Sequence, residues 1–296
     1  MKKEHSDFLK MLEVEFSEKE DLSKKSFIGI GGVYDTVAPS NESELVGLLE
    51  ALLELGIRFK IIGKLSNTII VDKSIEIIVK TDKMRGYSVA DNEVTALCGE
   101  GFASLSERLA RVDISLEPRL SGIPGAVGGM IYNNAGAYGA EFSDIFLSAI
   151  VYDFHDRALK TLAKDEMEFS YRKSLLSRGG MALVSAKLLT EKSSFSEIRR
   201  KKSECMNRRM STQPISARTL GSVFKRYGDI APARLIDELG LKGCSVGGAV
   251  ISEKHAGFIE NRGGATADDV RCLINIVKHR VFDKYGIALE EEIEIV

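Results

Sequence analysis

Three glycine-rich segments carry the clearest chemical signal in this 296-residue chain. They are Gly29-Ile30-Gly31-Gly32, Gly63-Lys64-Leu65-Ser66-Asn67, and the run Gly122-Ile123-Pro124-Gly125-Ala126-Val127-Gly128-Gly129. The last continues to Asn133-Asn134-Ala135-Gly136-Ala137-Tyr138-Gly139. Without a Cβ, glycine lets backbone N–H groups come close to phosphate oxygens. Ser and Asn add uncharged hydrogen bonds. Loops of this composition suit a pyrophosphate held mainly by amides. The first cluster alone reads as tight turns. It is followed by Val33–Val37, which looks like strand, so the glycine fingerprint that opens a helix in dinucleotide folds is disfavoured. The third run is too dense in Gly, Ala and Asn for turns alone and reads as a close-approach ligand loop.

Charged and hydroxyl side chains are ambiguous when read singly. Arg172, in Tyr171-Arg172-Lys173-Ser174, has the planar fork that grips a carboxylate at two points, and it equally suits a surface ion pair. Ser222 follows Gly221, a common setting for a turn or cap. Lys225 could meet a phosphate or point into solvent. Glu292 shares a strand face with Glu290 and Glu294, the pattern of a solvated acidic edge. His255 invites an acid–base reading, but a structural or substrate-contacting role fits it better. His5, His155 and His279 have no catalytic neighbours in sequence and read as surface residues. Cys98, Cys205, Cys244 and Cys272 are not at metal-ligand spacing, and no disulfide framework or metal site is expected.

These residues must be positioned by the elements around them. Glu42–Leu55 places Leu45, Leu48, Leu49, Leu52 and Leu53 at helical spacing, with Ser40 or Asn41 as N-cap and Gly56 as stop. Phe59–Ile62, Thr68–Val71 and Glu76–Val79 are short β-branched runs that read as strands. Ser104–Arg111 reads as helix, and Ser121–Tyr138 as a loop with one short element. Ala149–Phe154 and Ala182–Leu189 read as strands flanking a hairpin at His155–Arg157. Ser194–Met210 is a basic amphipathic helix with Ile198, Cys205 and Met206 facing inward. Thr266 heads a long helix with Val270, Leu273, Ile274, Val277, Val281 and Phe282 as its apolar stripe, closed by Gly286. Ile287–Val296 alternates as a terminal strand, with Leu289, Ile293 and Ile295 on one face.

Bulk properties narrow the class. Charged residues are 28% and hydrophobic ones 44%, ordinary for a globular protein. A net charge of −2 gives no global field for nucleic acid. No apolar run is long enough to span a bilayer, and the charged start, Met1–Glu20, lacks the apolar centre of a signal peptide.

Taken in order, Ile28-Gly29-Ile30-Gly31-Gly32, Ser66-Asn67 ahead of an apolar strand and Asp72, and the run from Gly122 to Gly139 resemble the UDP-N-acetylenolpyruvoylglucosamine reductase family. The resemblance continues through Tyr171-Arg172-Lys173-Ser174, Gly221-Ser222-Val223-Phe224-Lys225 and Leu235-Ile236. Gly240-Leu241-Lys242-Gly243, Lys254-His255-Ala256 and Leu289-Glu290-Glu291-Glu292-Ile293 complete it. It implies an α+β fold with an FAD-binding domain of the vanillyl-alcohol-oxidase type in two subdomains, 1–80 and 81–205. A substrate domain follows at 206–296.

The resemblance further implies noncovalent FAD bound by Gly63, Ser66, Asn67, Gly122, Ile123, Gly125, Gly128, Asn134 and Gly136. NADPH is then the hydride donor, and the substrate is the family's enolpyruvyl UDP-sugar in peptidoglycan synthesis. Arg172 becomes the carboxylate clamp, Ser222 the proton donor, and Glu292 a partner in enolate stabilisation or proton delivery. Lys225, Lys254 and His255 become substrate contacts. The implied setting is the cytoplasm, without a membrane, nucleic-acid or obligatory protein partner.

The chain departs from the family pattern at Lys64 and Leu65, where more glycine is usual, and at Arg226-Tyr227, where Asn-Pro is common. The usual Gly-Leu-Glu is not evident around Ser115–Pro118. The length suggests the short-form branch. Two other readings compete: a flavin oxidase of the same fold acting on an alcohol or hydroxy acid, and a nucleotide-sugar-binding protein without catalysis.

Overall fold

Leu45, Leu48, Leu49 and Leu52 recur three and four residues apart, and all four are buried along the helix Glu42–Glu54. Asn41 caps it, its Oδ1 accepting the Glu44 N–H at 3.0 Å. The Leu stripe packs on Val37, Ile77 and Val79 of a four-stranded sheet. That sheet runs in the order Glu15–Asp21, Val33–Ala38, Ile77–Lys80, Phe59–Ile62, with Ile77–Lys80 parallel to both its neighbours. A polar rung crosses it. Lys80 Nζ lies 2.6 Å from Glu20 Oε2, which also accepts from Thr36 Oγ1 at 2.5 Å.

The computed structural model describes residues 14–296, so His5 and most of the charged start lie outside the described residues. The chain divides into two compact units, each described by itself. The first takes in the described residues up to Glu20, then Tyr34–Lys64 and Ser74–Met206. Besides the sheet above it holds a five-stranded antiparallel sheet. The order is Ala158–Ala163, Phe146–Asp153, Met181–Leu189, Glu93–Leu97, Tyr87–Ala90. The helices Phe102–Ala110 and Val127–Tyr132 bury Phe102, Leu105, Leu109, Val127, Met130 and Ile131 in the same core.

The second unit is assembled from three separated stretches, Asp21–Val33, Leu65–Lys73 and Asn207–Val296. Its core joins Ile28, Ile30 and Ile69 to Val270, Leu273, Ile274, Val277 and Val281 of the helix Ala267–Tyr285. Thr266 and Asp269 form a capping box at the start of that helix, at 2.8 and 3.1 Å, and Gly286 closes it at φ 67. A three-stranded antiparallel sheet, Ser245–Val246, Ala249–Ile251 and Ile259–Asn261, packs with it.

Several sequence readings need correction. The turn at His155–Arg157 joins Phe146–Asp153 to Ala158–Ala163, an edge strand that the sequence reading missed. Met181–Leu189 pairs with the other side of Phe146–Asp153. The edge strand was hidden because Leu162 alone among its residues is buried, so it shows no alternation. In the helix Phe195–Thr212 only Ile198 is buried, Cys205 is half-buried and Met206 is exposed. Phe282 is likewise 57% exposed on its helix. The terminal strand is regular only at Glu294–Ile295, because its two halves have different partners. Glu290–Glu292 bond to residues 223–225, and Glu294–Ile295 run parallel to Thr68–Ile69.

Candidate active site

In the first unit the long glycine run is built around a short helix. The N–H groups of Val127 and Gly128 donate to the carbonyls of Glu100 (2.9 Å) and Cys98 (2.8 Å), fastening the helix start behind the strand Glu93–Leu97. A Cβ on Gly128 would lie 3.2 Å from the Cys98 carbonyl oxygen, so this glycine serves close packing. Upstream, Ser121 Oγ donates to the Pro118 carbonyl at 2.7 Å and the Ile123 N–H to that of Leu120 at 3.0 Å, giving consecutive tight turns through Gly122, while the Gly125 carbonyl accepts the Phe102 N–H at 3.1 Å. Gly63 and Gly129 differ from Gly128. A Cβ on either would meet nothing within 4 Å. Their backbones border open space that a side chain would fill, which is what amide-held pyrophosphate requires, and in this respect the loops fit FAD.

Asn134 has no exposed surface and uses its side chain completely. Its Nδ2 donates to Glu141 Oε2 at 2.8 Å and to the Ser170 carbonyl at 3.0 Å, while Oδ1 accepts the Ser143 N–H at 3.0 Å. Ser170 and Lys173 exchange two backbone hydrogen bonds of 3.1 Å, which leaves Tyr171 and Arg172 at the tip of a tight turn. Ser174 Oγ fixes the other side of that turn to the Tyr132 carbonyl at 3.0 Å. Arg172 sits at φ 57, with its guanidinium carbon 4.8 Å from the Tyr171 ring centre and Nη2 donating to the Gly136 carbonyl at 3.0 Å. A Cβ on Gly136 would come within 2.9 Å of Arg172 Nη1 and 2.8 Å of the Ala140 carbonyl oxygen. Glycine at 136 is therefore what lets the guanidinium lie there. The sequence could not separate these roles, because Gly128, Gly129 and Gly136 look alike until their neighbours are known.

In the second unit a single backbone segment gathers most of the remaining candidates. Residues 222–225 run between 257–258 and 290–292. The Val223 N–H donates to the Gly257 carbonyl (2.8 Å), the Glu292 N–H to that of Val223 (2.7 Å), and the Lys225 N–H to that of Glu290 (2.9 Å). Val223 and Phe224 are buried, which fixes the segment; Ser222 and Lys225 remain half-exposed. Lys225 Nζ lies 3.5 Å from Glu290 Oε2. Asn67 locks the same region, its Nδ2 donating to the Glu292 carbonyl at 3.0 Å and its own carbonyl accepting the Glu294 N–H at 3.0 Å. Thus Asn67, expected beside a cofactor, also holds the backbone of Glu292.

His255 packs edge-on against Phe258, ring centres 4.7 Å apart, and its Nδ1 accepts the Gly257 N–H at 3.1 Å. Burial lowers its pKa below the usual imidazole value, with a smaller push from Lys242, so it is neutral at neutral pH. Lys254 Nζ donates to the Met210 carbonyl at 2.6 Å, which gives it a tethering role in the fold. Arg172 belongs to the first unit, and Ser222, Lys225, Lys254, His255 and Glu292 belong to the second.

The sequence reading passed over Glu100. Its side chain is 94% shielded, and it accepts from the N–H groups of Gly86 and Gly101, both at 3.1 Å, and from Arg108 Nη2 at 2.6 Å. Its signal was Gly99-Glu100-Gly101 directly after a strand, an acid held between two glycines. The Cys98 thiol beside it is fully buried, and burial pushes its pKa up to about 12, which makes it inert as a nucleophile or flavin tether. Among the described residues no cluster of three or more His, Cys, Asp or Glu side chains could hold a metal ion, and no helix is long and apolar enough to cross a membrane.

Comparison with known proteins agrees with this layout. Residues 36–156 match the FAD binding domain family, and residues 213–296 match the C-terminal domain of UDP-N-acetylenolpyruvoylglucosamine reductase. The reductase of that name from Petrotoga mobilis is 39% identical over 95% of this chain and 94% of its own length. The one from Clostridioides difficile is 36% identical over 93% and 91%. The crystal structure of the Thermus caldophilus enzyme superimposes with a TM-score of 0.81 at 30% identity, covering 95% of this chain and 98% of that one. The chain belongs to the UDP-N-acetylenolpyruvoylglucosamine reductase family, with an FAD-binding domain of the vanillyl-alcohol-oxidase type and that family's own C-terminal domain.

Proposed function

We propose that this chain reduces the enolpyruvyl group of UDP-N-acetylenolpyruvoylglucosamine to give UDP-N-acetylmuramate, with NADPH as reductant and noncovalent FAD, as a cytoplasmic step of peptidoglycan synthesis. The observation that carries this reading is the backbone register in the second unit. It brings Ser222, Lys225 and Glu292 into one three-stranded patch from positions 70 residues apart in sequence, inside the segment that matches the family's C-terminal domain.

The reaction adds a hydride to the terminal carbon of the double bond and a proton to the carbon that bears the ether oxygen and the carboxylate. Bound FAD supplies a two-electron carrier between NADPH and substrate. Gly63, Ser66, Asn67, Gly122, Ile123, Gly125, Gly128, Asn134 and Gly136 are the residues assigned to hold it, those whose side chains are already engaged acting through backbone and shape. Once the hydride is in place, negative charge builds on the carbon beside the carboxylate. Arg172 orients that carboxylate with its fork and stabilises the developing charge. Ser222 gives its hydroxyl proton to the carbanion, and Glu292 assists by delivering or replacing that proton. Lys225, Lys254 and neutral His255 contact the substrate.

The half-reactions test the central assignment. In Ser222→Ala, NADPH should bleach the flavin at a near-normal rate, because that step needs no proton from serine. Reoxidation by the enolpyruvyl substrate should fall by about a hundredfold or more. If both half-reactions slow together, or if neither does, Ser222 is not the donor.

A further inference from the structure

Lys64, one of the departures from the family's glycine pattern, opens onto a cavity of about 520 Å³ contained in the first unit. Arg85, Arg108, Ser104 and Glu100 line it as well. Three cations therefore face one carboxylate, and that carboxylate is already engaged. Glu100 Oε1 takes Arg108 Nη2 at 2.6 Å and the Gly101 N–H at 3.1 Å, and Oε2 takes the Gly86 N–H at 3.1 Å. Arg108 is balanced by this contact and lies over the Tyr87 ring at 5.0 Å. Arg85 uses Nε on the Asp82 carbonyl at 2.6 Å. No carboxylate among the described residues forms an ion pair with Lys64 or Arg85.

Lys64 is half-buried, and its Nζ is pressed close to Gly101, where a Cβ would come within 2.7 Å of it. Burial lowers its pKa, Arg85 adds to the effect, and Glu100 opposes it. Withdrawing an ammonium group from water beside a guanidinium is unfavourable unless an anion completes the group. The helix Phe102–Ala110 flanks the same cavity with Ser104 and Arg108. Two uncompensated cations and a hydroxyl suit an anion with several oxygens better than a single carboxylate.

We infer that this cavity binds a phosphoryl group between Lys64 and Arg85, with the Ser104 hydroxyl as a further donor. The inference deepens the proposed function and rests on it for the two cofactors that could supply the group. Two sources of the group share this chemistry: the pyrophosphate of a dinucleotide such as FAD, and the 2′-phosphate of NADPH.

Calorimetric titration of the full chain, both as purified with flavin and after flavin removal, tests the inference and separates the sources. The titrants are inorganic pyrophosphate and adenosine 2′,5′-bisphosphate. At least one should bind saturably and lose affinity with added salt. Lys64→Gln and Arg85→Gln should each weaken binding by about tenfold or more, the loss of one charge-assisted contact. Lys64→Arg should retain most of it, which guards against a misfolded Gln variant. Pyrophosphate binding confined to the flavin-free chain identifies the dinucleotide pyrophosphate as the source. Binding of the bisphosphate by the flavin-loaded chain identifies the 2′-phosphate. No saturable binding in either form, or binding that is indifferent to both Gln substitutions, overturns the inference. The visible spectrum of the wild-type chain tests FAD binding separately, so a yellow protein lacking this anion site would sink the inference and leave the proposed function standing.

Discussion

Arg172 holds φ 57, a backbone conformation that costs a residue with a side chain about 1 kcal/mol and persists only where the surroundings impose it. The surroundings here are Asn134, which bonds the Ser170 carbonyl, and Ser174, which bonds that of Tyr132. Asn134 is therefore a positioning residue for Arg172. Arg172→Lys keeps a charge but loses the fork, so flavin content should be unchanged while turnover falls by about a hundredfold. Asn134→Ala should also reduce turnover, and in the Arg172→Lys background it should cost little more, since the turn it holds no longer presents a guanidinium. Additive losses in the double variant would separate the two residues. The sequence already marked Arg172 and Asn134 as candidates, through motifs that lie 38 positions apart. That one side chain positions the other could not be read there, because Asn134 lies in a loop rich in plausible ligand contacts and its bond towards Arg172 runs to a backbone carbonyl 36 residues away.

Elements were legible where one apolar stripe decides the matter. The Leu spacing of Glu42–Glu54 and the Thr266 and Gly286 boundaries of Ala267–Tyr285 emerge from local rules. Local rules failed for Ala158–Ala163, where edge position removes the buried face, and for Met206 and Phe282, where helical spacing counts apolar residues without knowing what lies opposite. The rung Lys80–Glu20–Thr36 was also beyond reach, since it depends on strand order. Its energetics are testable. Glu20→Leu leaves the Lys80 ammonium, only 6% exposed, without its carboxylate and should destabilise the chain by about 3 kcal/mol in urea unfolding. Glu20→Leu combined with Lys80→Met should regain most of that loss. A double variant no more stable than Glu20→Leu alone would show that the pair is not what holds the three strands in place.

At the scale of the molecule, the family resemblance implied contiguous subdomains, whereas the second compact unit is assembled from three separated stretches of chain. Nothing in Leu65–Lys73 announces that its partner strand is Glu294–Ile295, because two short apolar strands carry no address beyond their pattern. The consequence can be measured. A fragment of residues 207–296 lacks Ile28, Ile30 and Ile69 from its core and the partner of its last strand. It should show no cooperative unfolding by circular dichroism and a collapsed, poorly dispersed amide spectrum, in contrast to the full chain. A well-dispersed, cooperatively melting fragment would make the two N-terminal stretches dispensable.

The bond from Asn67 to the Glu292 carbonyl spans 225 residues. During synthesis at about 5–20 residues per second, the ribosome needs roughly ten to fifty seconds between releasing the first of these residues and the second. Throughout that interval Ser66, Asn67 and the apolar strand after them await the segment that will fix them. The nascent chain therefore carries an exposed, strand-forming stretch for most of its translation. A codon-dependent pause late in the message would lengthen its exposure to aggregation and to chaperones.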